Sequence, residues 1–292
     1  MFEALQIDDH LDVDSKLQLS CDDLLNELKS QIKIEPRSKL EKLKTVSEFP
    51  STSVFASLSW KVYEDLGKEK LPDGWKLLTT ATNKDIANGY FGAAFIQPEQ
   101  HHVIVAHRGT EITNVGAVVA DIAGIMLNNL GGQMDSACTF ADDVVNAMKT
   151  VEKDSDGEIN FELFFTGHSL GAWLAQVTTF SNTFLKRSED KFVRLDKDDD
   201  ETYHAQAIVF DSPGCLPMLQ KLKATFDSDD DLIALEDLSV TTFLSAPNQV
   251  NTCNEHFGRV FRVFFDTSMM TAVERSVGYT VLTHSIEKIV NC

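Results

Sequence analysis

Phe161-Glu162-Leu163-Phe164-Phe165-Thr166-Gly167-His168-Ser169-Leu170-Gly171 is the stretch that decides the fold. An apolar run of strand character stops at Gly167. Ser169 and Gly171 follow, then the helix-favouring Ala172-Trp173-Leu174-Ala175-Gln176. This is G-x-S-x-G between a strand and a helix, the pattern of a nucleophile elbow. So tight a turn forces its central serine into a strained backbone conformation. Glycines two residues to either side let strand and helix approach each other. The serine hydroxyl is thereby lifted out of the turn, and the helix N-terminus behind it offers backbone N–H groups to a developing oxyanion.

Outward from this stretch the chain alternates between strand and helix. Before it, the spacing predicts a helix over 53–66, strands over 75–80, 89–96 and 102–107, and a helix over 133–151 with apolar residues at Ala137, Phe140, Val144, Val145 and Met148. After it come a helix over 170–185, strands over 204–210, 240–245 and 259–265, and a last helix over 281–290. Strands alternating with helices imply a mostly parallel central sheet with helices on both faces. Residues 1–48 differ. They lack Gly and are rich in Asp, Glu, Lys and Leu, with helical spacing at Leu24, Leu25, Leu28 and Ile32. They read as a helical N-terminal extension, solvated or regulatory, ahead of one domain over 49–292. Two acidic stretches, 189–201 and 227–237, contain no Gly of the kind a calcium loop needs, and read as solvated loops.

Composition narrows the function. Of 292 residues 43% are hydrophobic, enough for a substantial core. The net charge of −19 sets the chain against nucleic acid and anionic membrane surfaces. A lipid would have to be met through an apolar patch. There is no apolar run of about 18 residues, so no transmembrane helix is expected. The N-terminus has neither the basic nor the apolar region of a signal peptide. Five widely spaced cysteines form no metal-spacing cluster and read as reduced thiols, which suits a cytoplasmic protein.

A serine is inert at neutral pH without a base and a group to orient that base. In an α/β-hydrolase the chain order is Ser, acid, His. Three histidines follow Ser169: His204, His256 and His284. His284, just past the last expected strand, stands where this order places the base. For the acid, Asp211 is the leading candidate, because the apolar strand Ile208-Val209-Phe210 ends directly at its carboxylate and Pro213-Gly214 turns the chain there. Asn248 and Asp266 are the alternatives. The oxyanion hole needs two N–H donors. Leu170 supplies one, and the loop His107-Arg108-Gly109-Thr110 suits the other, with the Thr110 hydroxyl as a further donor.

From about Val54 onward the chain resembles the lipase class 3 (fungal lipase-like) α/β-hydrolases. Four segments carry the likeness: Ala106–Thr110, Asn114–Asp121, Gly167–Gly171 and Val281–His284. The resemblance implies that Thr110 is the oxyanion threonine, Ser169 the nucleophile and His284 the base, with Asp121 and His168 in support. It also implies an amphipathic lid within residues 112–132. In that family the acid usually follows the strand matching 240–245, yet here the turn reads Ala246-Pro247-Asn248-Gln249-Val250-Asn251, without a carboxylate. The expectation is a serine hydrolase that cleaves fatty-acid esters through Ser169, His284 and Asp211, needs no cofactor or metal, and meets a lipid or small ester substrate. The alternative is a catalytically weak or inactive lipase-like binding protein.

Overall fold

The structure is a computed structural model that describes residues 26–30, 49–68, 70–81, 89–110, 130–155, 159–188, 191–195, 205–227, 232–248 and 250–263. Seven strands form the main sheet: β1 (Lys76–Thr80), β2 (Gly92–Gln97), β3 (His102–His107), β4 (Glu162–His168), β7 (Gln206–Phe210), β8 (Ser239–Leu244) and β9 (Arg259–Arg262), in that spatial order. The first three are antiparallel neighbours. From β3 to β9 every pairing is parallel. A separate hairpin pairs β5 (Leu185–Ser188) with β6 (Lys191–Arg194).

Parallel strands need long crossovers, and helices supply them. Helix α2 (Leu130–Asp154) joins β3 to β4, α3 (Leu170–Phe184) leaves β4, and α4 (Leu216–Phe226) joins β7 to β8. Helix α1 (Thr52–Lys61) precedes the sheet. The central strands β2, β3, β4 and β7 are buried on both faces, so their residues sort alternately into two cores. Val103, Val105, Phe165, Ala207 and Val209 point into the core shared with α2 and α3. Ile104, Ala106, Phe164, Ile208 and Phe210 point into the one shared with Phe55, Leu58 and Val62 of the α1 region. Helix α3 lies so deep that residues 170–181 are all buried, which is why it reads as apolar around most of its circumference.

The expected α/β architecture is present, with differences that have physical reasons. Helix α1 stops at Lys61, five residues short of the expected end. The chain turns there to bring Tyr63 beside the Gly109 loop. Helix α4 was not expected, although Pro217 in its first turn and the spacing Leu216, Leu219, Leu222, Phe226 announce it. The stretch 189–201 is not all loop. Phe192 and Val193 face alternate sides of β6, and Phe192 packs against the main core. Within residues 1–48 the helical turn 26–30 is described: Leu28 is fully buried in the main core and Lys29 pairs with Asp154 of α2 at 2.5 Å. That turn is docked onto the domain. Residues 281–290 lie outside the described residues.

Candidate active site

Four successive strands bring candidate groups to one end of the sheet. Thr110 follows β3, Ser169 follows β4, Asp211 follows β7, and Ser245, Asn248 and Asn251 follow β8. This is the carboxyl end of the parallel strands, where open α/β sheets gather their chemistry.

Ser169 has φ 57 and ψ −125, a region that a non-glycine residue enters only when its surroundings over-determine it. Three glycines do so. A Cβ on Gly167 would meet the backbone carbonyl group of Gly171 and, at 2.8 Å, the nitrogen of Ala172. One on Gly171 would run into the His107 carbonyl oxygen, with Arg108 C and Gly109 N both at 2.8 Å. One on Gly109 would lie 2.6 Å from the His168 carbonyl oxygen. Strand β4, the start of α3 and the loop after β3 therefore meet backbone against backbone. Ser169 itself is buried, its N–H donating to the Phe210 carbonyl at 3.1 Å and its own carbonyl accepting from Ala172 and Trp173. Leu170 is the first residue of α3, so its N–H belongs to the helix end whose N–H groups have no intrahelical acceptor.

The loop after β3 is pinned by neighbours the sequence did not single out. The Tyr63 hydroxyl accepts the Gly109 N–H at 2.8 Å and donates to the His168 carbonyl at 3.4 Å. The Arg108 guanidinium lies 4.9 Å over the Phe91 ring. Beneath the loop His107 is fully buried, its Nδ1 2.8 Å from the Tyr90 hydroxyl and its Nε2 3.1 Å from Thr178 Oγ1. Thr178 Oγ1 is also 3.0 Å from the Ala175 carbonyl. The set closes when Tyr90 donates to Nδ1 and Nε2–H donates to a Thr178 that passes its own proton to Ala175. That is a neutral imidazole, and burial pushes its pKa down to about 3. His168 is buried, its ring edge-on to Tyr63.

Asp211 is the second non-glycine residue of this end with positive φ, at 48. It is fully buried. The Ser245 N–H donates to its Oδ1 at 2.8 Å, and the Ser245 hydroxyl lies 2.9 Å from both carboxylate oxygens. Asn251 Nδ2 donates to Oδ1 at 2.8 Å and Asn248 Nδ2 to Oδ2 at 3.1 Å. Asp211 and Asn248, alternatives in sequence, are therefore hydrogen-bonded neighbours. Asn251 and Ser245 were missed. The Asn pair spaced by three after a Pro was their signal. His256 contacts this cluster through Nε2, 2.9 Å from the Asn251 carbonyl. His204, His284, Asp121, Asp266 and residues 112–129 of the expected lid range lie outside the described residues, whereas residues 130–132 of that range belong to α2. Among the described residues no cluster of His, Cys, Asp or Glu is suited to a metal, and no helix is long and apolar enough to cross a membrane.

A mostly parallel sheet whose central strand ends in a strained serine, followed by a buried helix, is the α/β-hydrolase arrangement. No protein-family model matches the sequence, and no curated protein matches it. Among solved structures the chain is similar to fungal lipases. The lipase of Rhizopus microsporus var. chinensis aligns at 12% identity over 78% of this chain and 76% of that one, with a TM-score of 0.46. The triacylglycerol lipase of Penicillium expansum aligns at 12% identity over 74% and 79%, with a TM-score of 0.46. The Rhizomucor miehei lipase in its propeptide complex aligns at 11% identity over 78% and 70%, with a TM-score of 0.43. These are likenesses of fold.

Proposed function

We propose that the protein is a serine ester hydrolase of the lipase kind, acting on carboxylic esters with a fatty acyl chain. Ser169 attacks the ester carbonyl. His284 takes the serine proton and returns it to the leaving alcohol. Asp211 orients His284 and stabilises the imidazolium. The Leu170 N–H and the Thr110 N–H and hydroxyl receive the oxyanion. An acyl-enzyme forms on Ser169 and water releases the acid, so the cycle needs no redox partner.

The observation that carries this reading is the backbone of Ser169, held at φ 57 between three glycines whose Cβ positions are filled by backbone. A serine with only a structural task has no need of such a turn. The buried Asp211 beside it supports the reading, since the Ser169 N–H reaches the carbonyl of the residue just before it. A short apolar lid within residues 112–132 and a cytoplasmic location complete the proposal.

A fluorophosphonate probe tests it. Wild type is expected to be labelled on Ser169 and to hydrolyse short-chain aryl esters. Ser169→Ala is expected to lose both with its melting temperature little changed, because the substitution removes a single hydroxyl from a turn. Near wild-type hydrolysis by Ser169→Ala would remove the nucleophile assignment. Wild type that neither labels nor hydrolyses would leave the non-catalytic binding protein as the better reading.

A further inference from the structure

The amides around Asp211 have their orientation fixed from behind. Asn248 Oδ1 accepts the N–H groups of Val250 and Asn251, at 3.0 and 2.9 Å. Asn251 Oδ1 accepts the Asn248 N–H at 3.0 Å. A backbone N–H can only donate, so it claims the oxygen end of each amide and leaves the nitrogen end facing Asp211. The loop after β8 thus presents the Asp211 carboxylate with donors from Ser245, Asn248 and Asn251. Arg262 braces the same loop, its Nη1 donating to the Ser245 carbonyl at 2.7 Å. This is the complement of a charged carboxylate delivered by one strand and held by the next.

We infer that Asn248 and Asn251 are positioning residues for the acid, and that residues 211 and 248 form one acid site whose charge can sit on either arm. The inference rests on the esterase reading above and adds to it which groups aim the acid. Hydrogen-bond accounting gives it a specific consequence. In Asp211→Asn, whichever way the new amide turns, its NH2 group faces an Asn248 or Asn251 amide N–H that can only donate, and of the groups that bonded the carboxylate only the Ser245 hydroxyl can turn to accept from it. In the exchange Asp211→Asn with Asn248→Asp, every donor finds an acceptor again. The carboxylate at 248 accepts from Val250 N–H, Asn251 N–H and the new amide at 211, and the amide oxygen at 211 accepts from Ser245 and Asn251. The charge has then moved only across a contact of 3.1 Å.

The test compares wild type, Asp211→Asn and the exchanged pair in ester turnover and in the pH dependence of kcat/KM. Asp211→Asn is expected to lose about 10⁴-fold in kcat, and its acid limb moves to lower pH because the imidazolium has lost its counter-charge. The exchanged pair is expected to regain about 100-fold or more over Asp211→Asn and to bring the acid limb back up. A tie with a merely structural role would not move that limb. An exchanged pair that melts with wild type yet is no more active than Asp211→Asn overturns the inference. If the pair does not fold, Asn251→Ala decides. A kcat about tenfold down with KM held within twofold supports positioning, and an unchanged kcat overturns it. Fluorophosphonate labelling of wild type keeps the two claims apart, since labelling with no rescue sinks only the acid site, whereas unlabelled wild type sinks the esterase itself.

Discussion

The turns at Ser169 and Asp211 end neighbouring parallel strands, and both hold a non-glycine residue at positive φ, 57 and 48. They are built in opposite ways. The serine turn is enforced by absent side chains: Gly167, Gly171 and Gly109 let three backbone segments touch. The aspartate turn is enforced by present ones, since Ser245, Asn248 and Asn251 reach across from the loop after β8. Backbone contact cannot yield, so it fixes position. Side-chain hydrogen bonds can be exchanged one for another, so they fix charge and direction while leaving room for substitution. The contrast fits a glycine pattern that is intact beside Asp211, the proposed acid, one strand earlier than the resemblance implies.

The largest effect should come from adding one carbon to the rigid turn. Gly171→Ala places a Cβ against the His107 carbonyl and within 2.8 Å of two further backbone atoms. Overpacking against backbone should cost about 3 kcal/mol or more, at the upper end of what inserted methyl groups do. Asn251→Ala, which removes hydrogen bonds, should cost about 1–3 kcal/mol. Denaturant melts of the two variants check the order. Equal losses would mean that the two turns are not held by different means.

The same contrast decides what could be read from sequence. The serine turn is a local object, with Gly167, Ser169 and Gly171 inside five residues, so it was legible, as were β3, β4, β7 and β8 with their β-branched and aromatic runs. The α/β order of the domain followed from them. The acid site is not local. Asp211 and Asn251 are forty positions apart, and only the parallel register of β7 with β8 makes them neighbours. Sequence reading could therefore weigh Asp211 against Asn248 without seeing that they touch. Tyr63 escaped for a like reason, because its partner Gly109 is 46 positions away. The β5–β6 hairpin was hidden by the acidic residues that surround it, although Phe192 and Val193 already alternate.

Acid should loosen the serine turn through a specific group. His107 carries the carbonyl that packs against Gly171, and burial holds its pKa at about 3. An unfolded histidine protonates near 6.5, so below that pH the unfolded chain binds a proton that the folded one refuses. The stabilising effect of neutral His107 is whole above about pH 6.5 and fades as pH falls toward 3, by up to about 1.4 kcal/mol per pH unit. His101 and His102, also lowered by burial, act in the same direction. Urea midpoints of wild type and His107→Gln at pH 7, 5 and 4 isolate the one residue. The variant's loss between pH 7 and 4 should be smaller than that of wild type, and parallel curves would show that His107 takes up its proton while folded.

The smallest expected effect sharpens the comparison most, because Tyr63 brings a side-chain hydrogen bond to the turn that glycines build. Its hydroxyl takes the Gly109 N–H at 2.8 Å and reaches the His168 carbonyl at 3.4 Å, so it ties the Thr110 loop to the strand that carries Ser169. Gly109's N–H is thereby spent on tyrosine, and the proposed oxyanion donor is the next one, on Thr110. Tyr63→Phe keeps the ring edge-on to His168 and removes only the hydroxyl. One lost hydrogen bond is worth about 1 kcal/mol, so stability should fall by about that much. Turnover should fall about tenfold with KM held, because a loop free to shift misplaces a donor that matters only in the transition state. Steady-state kinetics on a short aryl ester checks the split. An unchanged kcat would show that the three glycines alone hold Thr110 in place, and the division between a turn fixed by backbone and one aimed by side chains would then be complete.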